Sequence, residues 1–156
     1  MGLEIERKFL IANDAWRAAA SVPRSIRQGY LARGEHANVR VRIIGKKAFL
    51  TVKSNTAGLV RQEFEYAIPL VEARAMLSDL CGELILEKQR FTVSADEIEW
   101  TIDLYEGRLA GLVLAEVELF ATDQEIALPT WVGAEVTDDP RFRNEILARN
   151  GAPPKL

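Results

Sequence analysis

Charged side chains recur at every second position along several segments of the chain. The first of these is the run from Glu4 to Lys8 (EIERK), which lies between the apolar residues Leu3 and Phe9. Because successive side chains of a β-strand point to opposite faces, a strand here would place Glu4, Glu6 and Lys8 on one face. Carboxylates bind hard divalent cations and ammonium groups bind phosphate oxygens, so this face could hold a metal ion beside a phosphate.

Basic residues repeat the alternation further along the chain. Arg40 and Arg42 alternate with valine and isoleucine, and Lys88 and Arg90 share one face of a later segment. Lys53 lies on the polar face of a segment between them, and Arg61 is a further candidate. Guanidinium groups bind phosphate oxygens in a bidentate fashion and lysine supplies a point charge, so six such cations (Lys8, Arg40, Arg42, Lys53, Lys88 and Arg90) fit a polyphosphate.

Acidic residues follow the same pattern in the second half of the sequence. They occur as the doublets Glu63 with Glu65 and Glu116 with Glu118, and as the single Asp103. Oxygen ligands of this kind suit Mg²⁺ or Mn²⁺, which share the rest of their coordination shell with water and phosphate. The acidic and basic sets together therefore favour a site for a metal ion and a polyphosphate, against the alternative of salt-bridged strand surfaces.

Period-two alternation predicts eight strands that carry these residues. They are the segment around 4–8 and the segments Ile26–Arg33, Val39–Ile43, Ala48–Lys53, Arg61–Tyr66, Leu86–Val93, Ile98–Tyr105 and Leu112–Phe120. Helices are predicted at Asn13–Ala20, Pro69–Leu80, Asp123–Ala127 and from Asp138 to about Arg149.

The distribution of charge over these strands favours a closed barrel. The charges occupy one face of most strands, whereas the opposite face is often apolar and aromatic. A barrel with a charged lumen and an outer surface covered by helices accounts for this inversion, and closure also removes exposed sheet edges. We therefore expect an α+β fold, a closed eight-stranded antiparallel β-barrel or tunnel with helices packed outside, large enough for one small ligand.

Bulk properties restrict the class of protein. A chain of 156 residues that is 48% hydrophobic is long enough for one domain, which we predict to span residues 1–156. The net charge of −3 gives no global basic field for nucleic acid. Without an apolar signal core or a long apolar run, the sequence indicates a cytoplasmic protein with no membrane segment, and its single cysteine, Cys81, indicates a buried thiol.

The charged motifs, taken in order, resemble those of the CYTH superfamily, also called triphosphate tunnel metalloenzymes. The first run resembles the family's ExExK signature, and the later motifs resemble its RxR, lysine, ExE, KxR, aspartate and ExE positions. These are Arg40-Val41-Arg42, Lys53, Glu63-Phe64-Glu65, Lys88-Gln89-Arg90, Asp103 and Glu116-Val117-Glu118. The resemblance covers nearly the whole chain, and Arg141 and Arg143 stand where related members often have lysine.

The resemblance implies a role for each of these residues. Glu4, Glu6, Glu116 and Glu118 would be metal ligands, with Asp103 assisting, and the six cations named above would bind phosphate. Glu63 and Glu65 would hold a second metal or orient the attacking water. Gln28-Gly29-Tyr30-Leu31 resembles the second strand of small bacterial triphosphatases, so Lys8 and Tyr30 would form a proton-transfer or orienting pair.

The family context predicts a hydrolase dependent on Mg²⁺ or Mn²⁺ that cleaves inorganic triphosphate to pyrophosphate and phosphate. A class IV adenylyl cyclase or a thiamine triphosphatase would use the same fold, and a non-catalytic module binding polyphosphate or nucleotides is the alternative from another class. The compact chain favours tripolyphosphate. The expected partner is therefore a small polyphosphate, without nucleic acid or membrane, and a homodimer is possible.

Overall fold

The computed structural model describes residues 2–156 and contains nine strands and two α-helices. The strands are β1 (Gly2–Ile11), β2 (Arg24–Arg33), β3 (Ala37–Ile44), β4 (Lys47–Ser54), β5 (Val60–Ile68), β6 (Ile85–Ala95), β7 (Ile98–Tyr105), β8 (Val113–Glu118) and β9 (Val132–Glu135). The α-helices are α1 (Leu70–Asp79) and α2 (Asn144–Asn150), and 3₁₀ turns span Asp14–Ala19, Gly107–Leu109 and Pro140–Phe142.

Eight of the strands close into an antiparallel barrel. Their order is β5-β4-β3-β2-β6-β7-β8-β1, and the barrel closes because β1 also pairs with β5. Within β1, residues Gly2–Ile5 pair with β5, whereas residues Glu6–Leu10 pair with β8. The predicted eight-stranded barrel is therefore confirmed, and the EIERK run lies on the strand that closes it.

Strand β9 was not predicted from the sequence. It pairs with β1 beyond the point where β5 ends, with Phe9 opposite Glu135 and Ile11 opposite Val132. A methyl group on Gly133 would lie 3.0 Å from the carbonyl oxygen of Leu10, so the glycine permits this close approach of two backbones. The strand is four residues long, too short to show a periodic pattern.

Helix α1 covers one part of the apolar outer surface. Ala73, Leu77 and Cys81, on and after the helix, pack with Val41 and Ala48 of β3 and β4. The backbone of β2 also approaches this layer, since a Cβ on Gly29 would lie 2.7 Å from the Cys81 sulfur. The lone cysteine is thus a buried packing residue, as predicted.

A tryptophan-rich cluster covers another part of the outer surface. Trp100 of β7 contacts Phe9 and Trp131 edge to face, with ring centroids 5.6 and 5.4 Å away. Trp16, from the first 3₁₀ turn, is 1% exposed and joins the same cluster. The tryptophans are therefore packing residues.

Helix α2 differs from the expectation that every helix packs outside. Together with Phe142 it packs against Tyr30, Leu86, Tyr105 and Leu114, which share the lumen-facing side of their strands with the predicted site residues. These lumen-facing side chains are mainly apolar at this end of the barrel, so burial of apolar surface holds the helix there. The C-terminal segment therefore covers part of one end of the barrel.

Of the two helices predicted in the C-terminal third, the first was wrong and the second was right in part, since α2 lies within its predicted range. Residues 123–127 form a turn followed by chain without regular secondary structure, and the Gln124 side chain accepts a hydrogen bond from the Phe120 amide. The helix expected from Asp138 is interrupted, because Arg143 adopts an extended conformation (φ −70°, ψ 137°) between Pro140–Phe142 and α2. None of the helices formed by residues 2–156 has the length and apolar character needed to span a bilayer.

Candidate active site

A charged cavity lies inside the barrel and opens beside the C-terminal segment. Its walls come from seven strands (β1 to β6 and β8), the β4–β5 loop and residues 136–145. The lining residues are Glu4, Glu6, Lys8, Tyr30, Asn38, Arg40, Arg42, Lys53, Ser54, Gly58, Leu59, Arg61, Glu63, Arg90, Glu116, Val136, Thr137, Asp139, Phe142, Arg143, Asn144 and Glu145. Alternation along the strands brings the charged residues to the lumen, while the apolar outer faces form the packing layers.

The structure brings ten of the residues singled out in the sequence into this cavity and leaves four outside its lining. Lys88 and Asp103 face the lumen but are fully buried and do not line the cavity. Glu65 and Glu118 are exposed to solvent, although Glu118 lies directly opposite Glu6 on the neighbouring strand. The remaining ten, together with Arg61, line one continuous space.

Three of the cavity carboxylates are paired with cations. Lys53 Nζ lies 2.7 Å from Glu4 Oε2, which joins β4 to β1 across the lumen. Lys8 Nζ lies 3.5 Å from Glu116 Oε1. Arg40 Nη2 lies 3.6 Å from Glu63 Oε1. Acidic and basic residues therefore alternate around the cavity and partly neutralise one another.

Glu6 is different, since none of the ion pairs formed by residues 2–156 includes it. Burial and the nearby negative charge of Glu116 raise the pKa of Glu6 to about 8. Burial opposes ionisation of Glu116 as well, but the charge of Lys8 prevails and lowers the pKa of Glu116 to about 2. The cavity thus holds a protonated carboxyl beside an ionised one near neutral pH.

These carboxyl groups fit a divalent cation in donor chemistry. Glu4, Glu6 and Glu116 offer hard oxygen ligands, and a cation among them would stabilise the ionised form of Glu6 against the burial and the negative charge of Glu116 that oppose it. Across residues 2–156, however, no three Asp, Glu, His or Cys side chains are gathered tightly enough to surround a metal ion by themselves. A metal held here would take part of its coordination shell from phosphate oxygens and water.

The arginines of the cavity wall lie close enough to repel one another. Arg40 is only 8% exposed, and Arg42 lies beside both Arg40 and Arg90. Burial and these two neighbouring positive charges lower the pKa of Arg42 to about 9. A polyanion would relieve this repulsion, as expected for a phosphate site that is open to substrate.

A buried layer lies behind the arginines. Gln28 Oε1 accepts a hydrogen bond from Arg42 Nε at 2.9 Å. Asp103 accepts two hydrogen bonds from Arg90, at 2.8 and 2.9 Å, and its Oδ2 also lies 2.7 Å from Lys88 Nζ. Burial would raise the pKa of Asp103, but Lys88 and Arg90 outweigh it and hold that pKa below its ordinary range.

Lys8 and Tyr30 line the same cavity but make different contacts. Lys8 Nζ donates to the carbonyl oxygen of Phe142 at 2.9 Å, and the bonds found within residues 2–156 include none between Lys8 and Tyr30. Burial raises the pKa of Tyr30 above its ordinary value. The tyrosine is therefore protonated near neutral pH and can donate a hydrogen bond to an oxyanion.

Apart from Arg143, which the family resemblance singled out, sequence reasoning missed the cavity residues of the C-terminal segment (residues 136–150). Thr137, Asp139, Arg143, Asn144 and Glu145 reach the cavity from residues without a periodic pattern, so no alternation could have indicated them. Tyr105 Oη donates to Asn144 Oδ1 at 2.6 Å and ties α2 to the barrel wall. By contrast, the alternation could have indicated Asn38, because it shares a face of β3 with Arg40 and Arg42.

Comparisons with known proteins agree with this geometry. The family model described as the CYTH domain matches residues 2–143. A curated inorganic triphosphatase of Acetivibrio thermocellus is 40% identical over 150 residues, covering 96% of each chain. An inorganic triphosphatase of Nitrosomonas europaea is 36% identical over 149 residues, covering 93% of this chain and 96% of that protein. The solved structure of an inorganic triphosphatase superposes with a TM-score of 0.68 at 32% identity, covering 93% of both chains.

Proposed function

Because the chain belongs to the CYTH domain family, we propose that it is an inorganic triphosphatase, which hydrolyses tripolyphosphate to pyrophosphate and phosphate. The observation that carries this proposal is the single cavity in which Lys8, Arg40, Arg42, Lys53 and Arg90 face Glu4, Glu6, Glu63 and Glu116. These cations can bind the phosphate oxygens of a triphosphate, and the carboxyl groups provide ligands for a divalent cation.

The lining cations bind and orient the phosphates in this proposal. Arg40, Arg42 and Arg90 present guanidinium groups, while Lys8 and Lys53 add point charges from two other strands. Lys88 faces the lumen but does not line the cavity, because it is buried 2.7 Å from Asp103, and burial lowers its pKa to about 7. Phosphoryl transfer depends mainly on positioning and on neutralising charge, so a rigid cationic wall favours it.

Glu4, Glu6 and Glu116 are the proposed ligands of Mg²⁺ or Mn²⁺. When bound there, such an ion would neutralise phosphate charge and make a water molecule more acidic. The exposed Glu118, opposite Glu6, could reach the ion only through a rearranged side chain or a water. Asp103 is a weaker candidate, because the two oxygens of its side chain already contact Arg90 and Lys88.

The nucleophile is water, which attacks the terminal phosphorus while the P–O bond to the bridging oxygen breaks and pyrophosphate leaves. Glu63 lies in the cavity beside Arg40, and in this proposal it orients that water and accepts its proton. Glu65 is exposed outside the lining, so only an altered side-chain position would allow it to assist. Tyr30, protonated, and Lys8 can each donate a hydrogen bond to a phosphate oxygen.

The test is release of phosphate and pyrophosphate from tripolyphosphate, ATP and thiamine triphosphate, side by side, with Mg²⁺, Mn²⁺ or EDTA. We expect fast metal-dependent cleavage of tripolyphosphate, and we expect Glu116→Gln to reduce it at least about 100-fold by removing a metal ligand. Glu72→Gln, at an exposed position of α1, is the matched control.

Three outcomes would contradict the proposal. A cyclic product with pyrophosphate from ATP would indicate a cyclase, and preferred cleavage of thiamine triphosphate would indicate a thiamine triphosphatase. Tight binding of tripolyphosphate without turnover of any compound would indicate a binding module.

Tyr30 and Phe142 are the aromatic residues of the described lining and are only 5% and 1% exposed, which leaves little ring surface for a base or a thiazolium to stack on.

A further inference from the structure

Gln28 is a polar residue in a position where an apolar residue would pack without penalty. It lies in the middle of β2, opposite Arg42 on β3 and Leu86 on β6, and its side chain is fully buried. Its amide nitrogen Nε2 finds no hydrogen-bond partner in the described part of the chain. Because an unpartnered buried donor is unfavourable, the polarity of Gln28 must have a compensating role.

The contact that Gln28 does make is with Arg42. Its Oε1 accepts a hydrogen bond from Arg42 Nε at 2.9 Å, and Arg42 lines the cavity whereas Gln28 does not. Among the hydrogen bonds found within residues 2–156, this is the one that engages the Arg42 side chain. The two terminal nitrogens of Arg42 are therefore available to a ligand, while Nε fixes the plane of the group.

Asp103 holds Arg90 in a comparable way. Arg90 directs Nε and Nη2 at the two carboxylate oxygens of Asp103, and Nη1 remains for the cavity. Asp103 is fully buried, does not line the cavity, and is also in contact with Lys88. Asp103 therefore contacts two cationic side chains, Arg90 and Lys88, from a position outside the cavity lining.

We propose that Gln28 and Asp103 are positioning residues, which hold the guanidinium groups of Arg42 and Arg90 in a fixed geometry for binding the triphosphate. The inference rests on the proposed function, since it assigns these residues a role at the same site. Arg42 and Arg90 carry like charges at close range, so without support they would turn away from each other. Ordering a free arginine on binding weakens affinity, and prior fixation avoids this loss.

The test measures binding of tripolyphosphate by calorimetry in EDTA, so that no metal ion contributes. Gln28→Met keeps the size and shape of the side chain but removes the acceptor. We expect it to remain folded and to bind tripolyphosphate roughly tenfold more weakly. With Mg²⁺ present, its KM should rise by a similar factor while kcat changes little, a split that general destabilisation would not produce.

The matched control is Gln89→Met on β6, where Gln89 contacts Ser25 and Glu106 on the outer surface of the barrel. It should bind tripolyphosphate like the wild type. Gln28→Glu restores an acceptor oxygen, so its affinity should exceed that of Gln28→Met. A folded Gln28→Met protein with wild-type affinity would overturn the role of Gln28.

Asp103→Asn separates positioning from metal binding. If Asp103 is a positioning residue, Asp103→Asn should bind tripolyphosphate more weakly in EDTA. The Mg²⁺ concentration that it needs for half-maximal activity should be the same as for the wild type. Unchanged binding in EDTA together with a raised Mg²⁺ requirement would overturn the role of Asp103, and failure to fold would leave Gln28→Met to decide the inference. If the wild type itself does not bind tripolyphosphate, the proposed function fails first, so the two failures are distinguishable.

Discussion

Glu6 carries the least compensated carboxyl group of the cavity. Its neighbours Glu4 and Glu116 each contact a lysine, whereas Glu6 has their negative charges close by and a pKa of about 8. Folding therefore binds a proton at this position at any pH between the ordinary pKa and the raised one. In the metal-free protein, Glu6 lowers stability at neutral pH, which is acceptable only if function needs the carboxylate.

We predict that Glu6→Gln raises the melting temperature of the metal-free protein at pH 8 but not at pH 4. The pKa of Glu6 is raised from 4.5 to about 8 on folding. The Glu6 carboxyl therefore makes its full contribution to the unfolding free energy below pH 4.5, and the wild type loses this contribution as the pH rises to 8, whereas Glu6→Gln does not. Each pH unit in this window changes the unfolding free energy by up to about 1.4 kcal/mol. Thermal unfolding of both proteins in EDTA across this pH range measures the difference.

Added Mg²⁺ should reverse the order of the two melting temperatures near pH 8, because a metal ion binds the carboxylate and not the amide. Equal melting temperatures at every pH would show that Glu6 titrates normally. They would also mean that the pKa of Glu6 no longer supports its role as a ligand of a divalent cation.

Strand β1 is the element on which the rest of the barrel is assembled. One edge of it pairs first with β5 and then with β9, while the other edge pairs with β8. Its inward side carries Glu4, Glu6 and Lys8, so closure of the barrel and assembly of the acidic group depend on the same ten residues. A register shift in β1 would turn all three side chains outward.

Helix α1 is fitted closely to β2 at Gly29. A Cβ at this position would lie 2.7 Å from Cys81 Sγ and 3.0 Å from Leu77 Cδ2. We predict that Gly29→Ala destabilises the protein by about 1–3 kcal/mol through overpacking. Chemical denaturation with urea measures the change.

The double variant Gly29→Ala, Cys81→Ala provides the control for this prediction. Removing the sulfur vacates the space that the new methyl group needs, so the double variant should lose less stability than the sum of the two single variants. Additive losses would show that the close contact at Gly29 is not what limits its replacement.

Alternating sequence patterns predict elements well where one face meets solvent or a charged lumen and the other meets a packing layer. Val39–Ile43 shows this alternation in full and lies within β3 as expected. The pattern fails where tertiary contacts decide the structure. Strand β9 pairs with β1 where β1 has a free edge beyond β5, and residues 123–127 form no helix, with Ile126 packed against the tryptophan cluster.

The candidate site was also predictable only in part from the alternation of residues along the strands. Alternation identified which side chains face inward, including Lys88, Arg90 and Asp103. It could not distinguish residues that line the cavity from those that support it, because depth along the lumen depends on strand tilt and stagger. It also could not indicate that Phe142 and Arg143 would reach the cavity from the C-terminal segment.

At the scale of the whole molecule, the C-terminal segment belongs to the barrel that it covers. Leu147 and Ala148 of α2 are each 1% exposed and pack with lumen-facing residues of β2, β6, β7 and β8. Lys8 Nζ and Tyr105 Oη bind the same segment from the barrel wall. We therefore propose that residues 1–156 form a single domain that folds as one cooperative unit.

Leu147→Ala tests this unity. Removing a fully buried leucine side chain should lower the unfolding free energy by about 2–5 kcal/mol. If α2 and the barrel unfold together, calorimetry will show one transition, shifted as a whole to lower temperature, with equal calorimetric and van't Hoff enthalpies. Leu156→Ala, at a side chain that is 90% exposed, should leave the transition unchanged. A second transition at low temperature in Leu147→Ala would instead mean that α2 detaches from a barrel that is stable without it. Only a segment that folds separately can lose its packing without shifting the unfolding transition of the barrel.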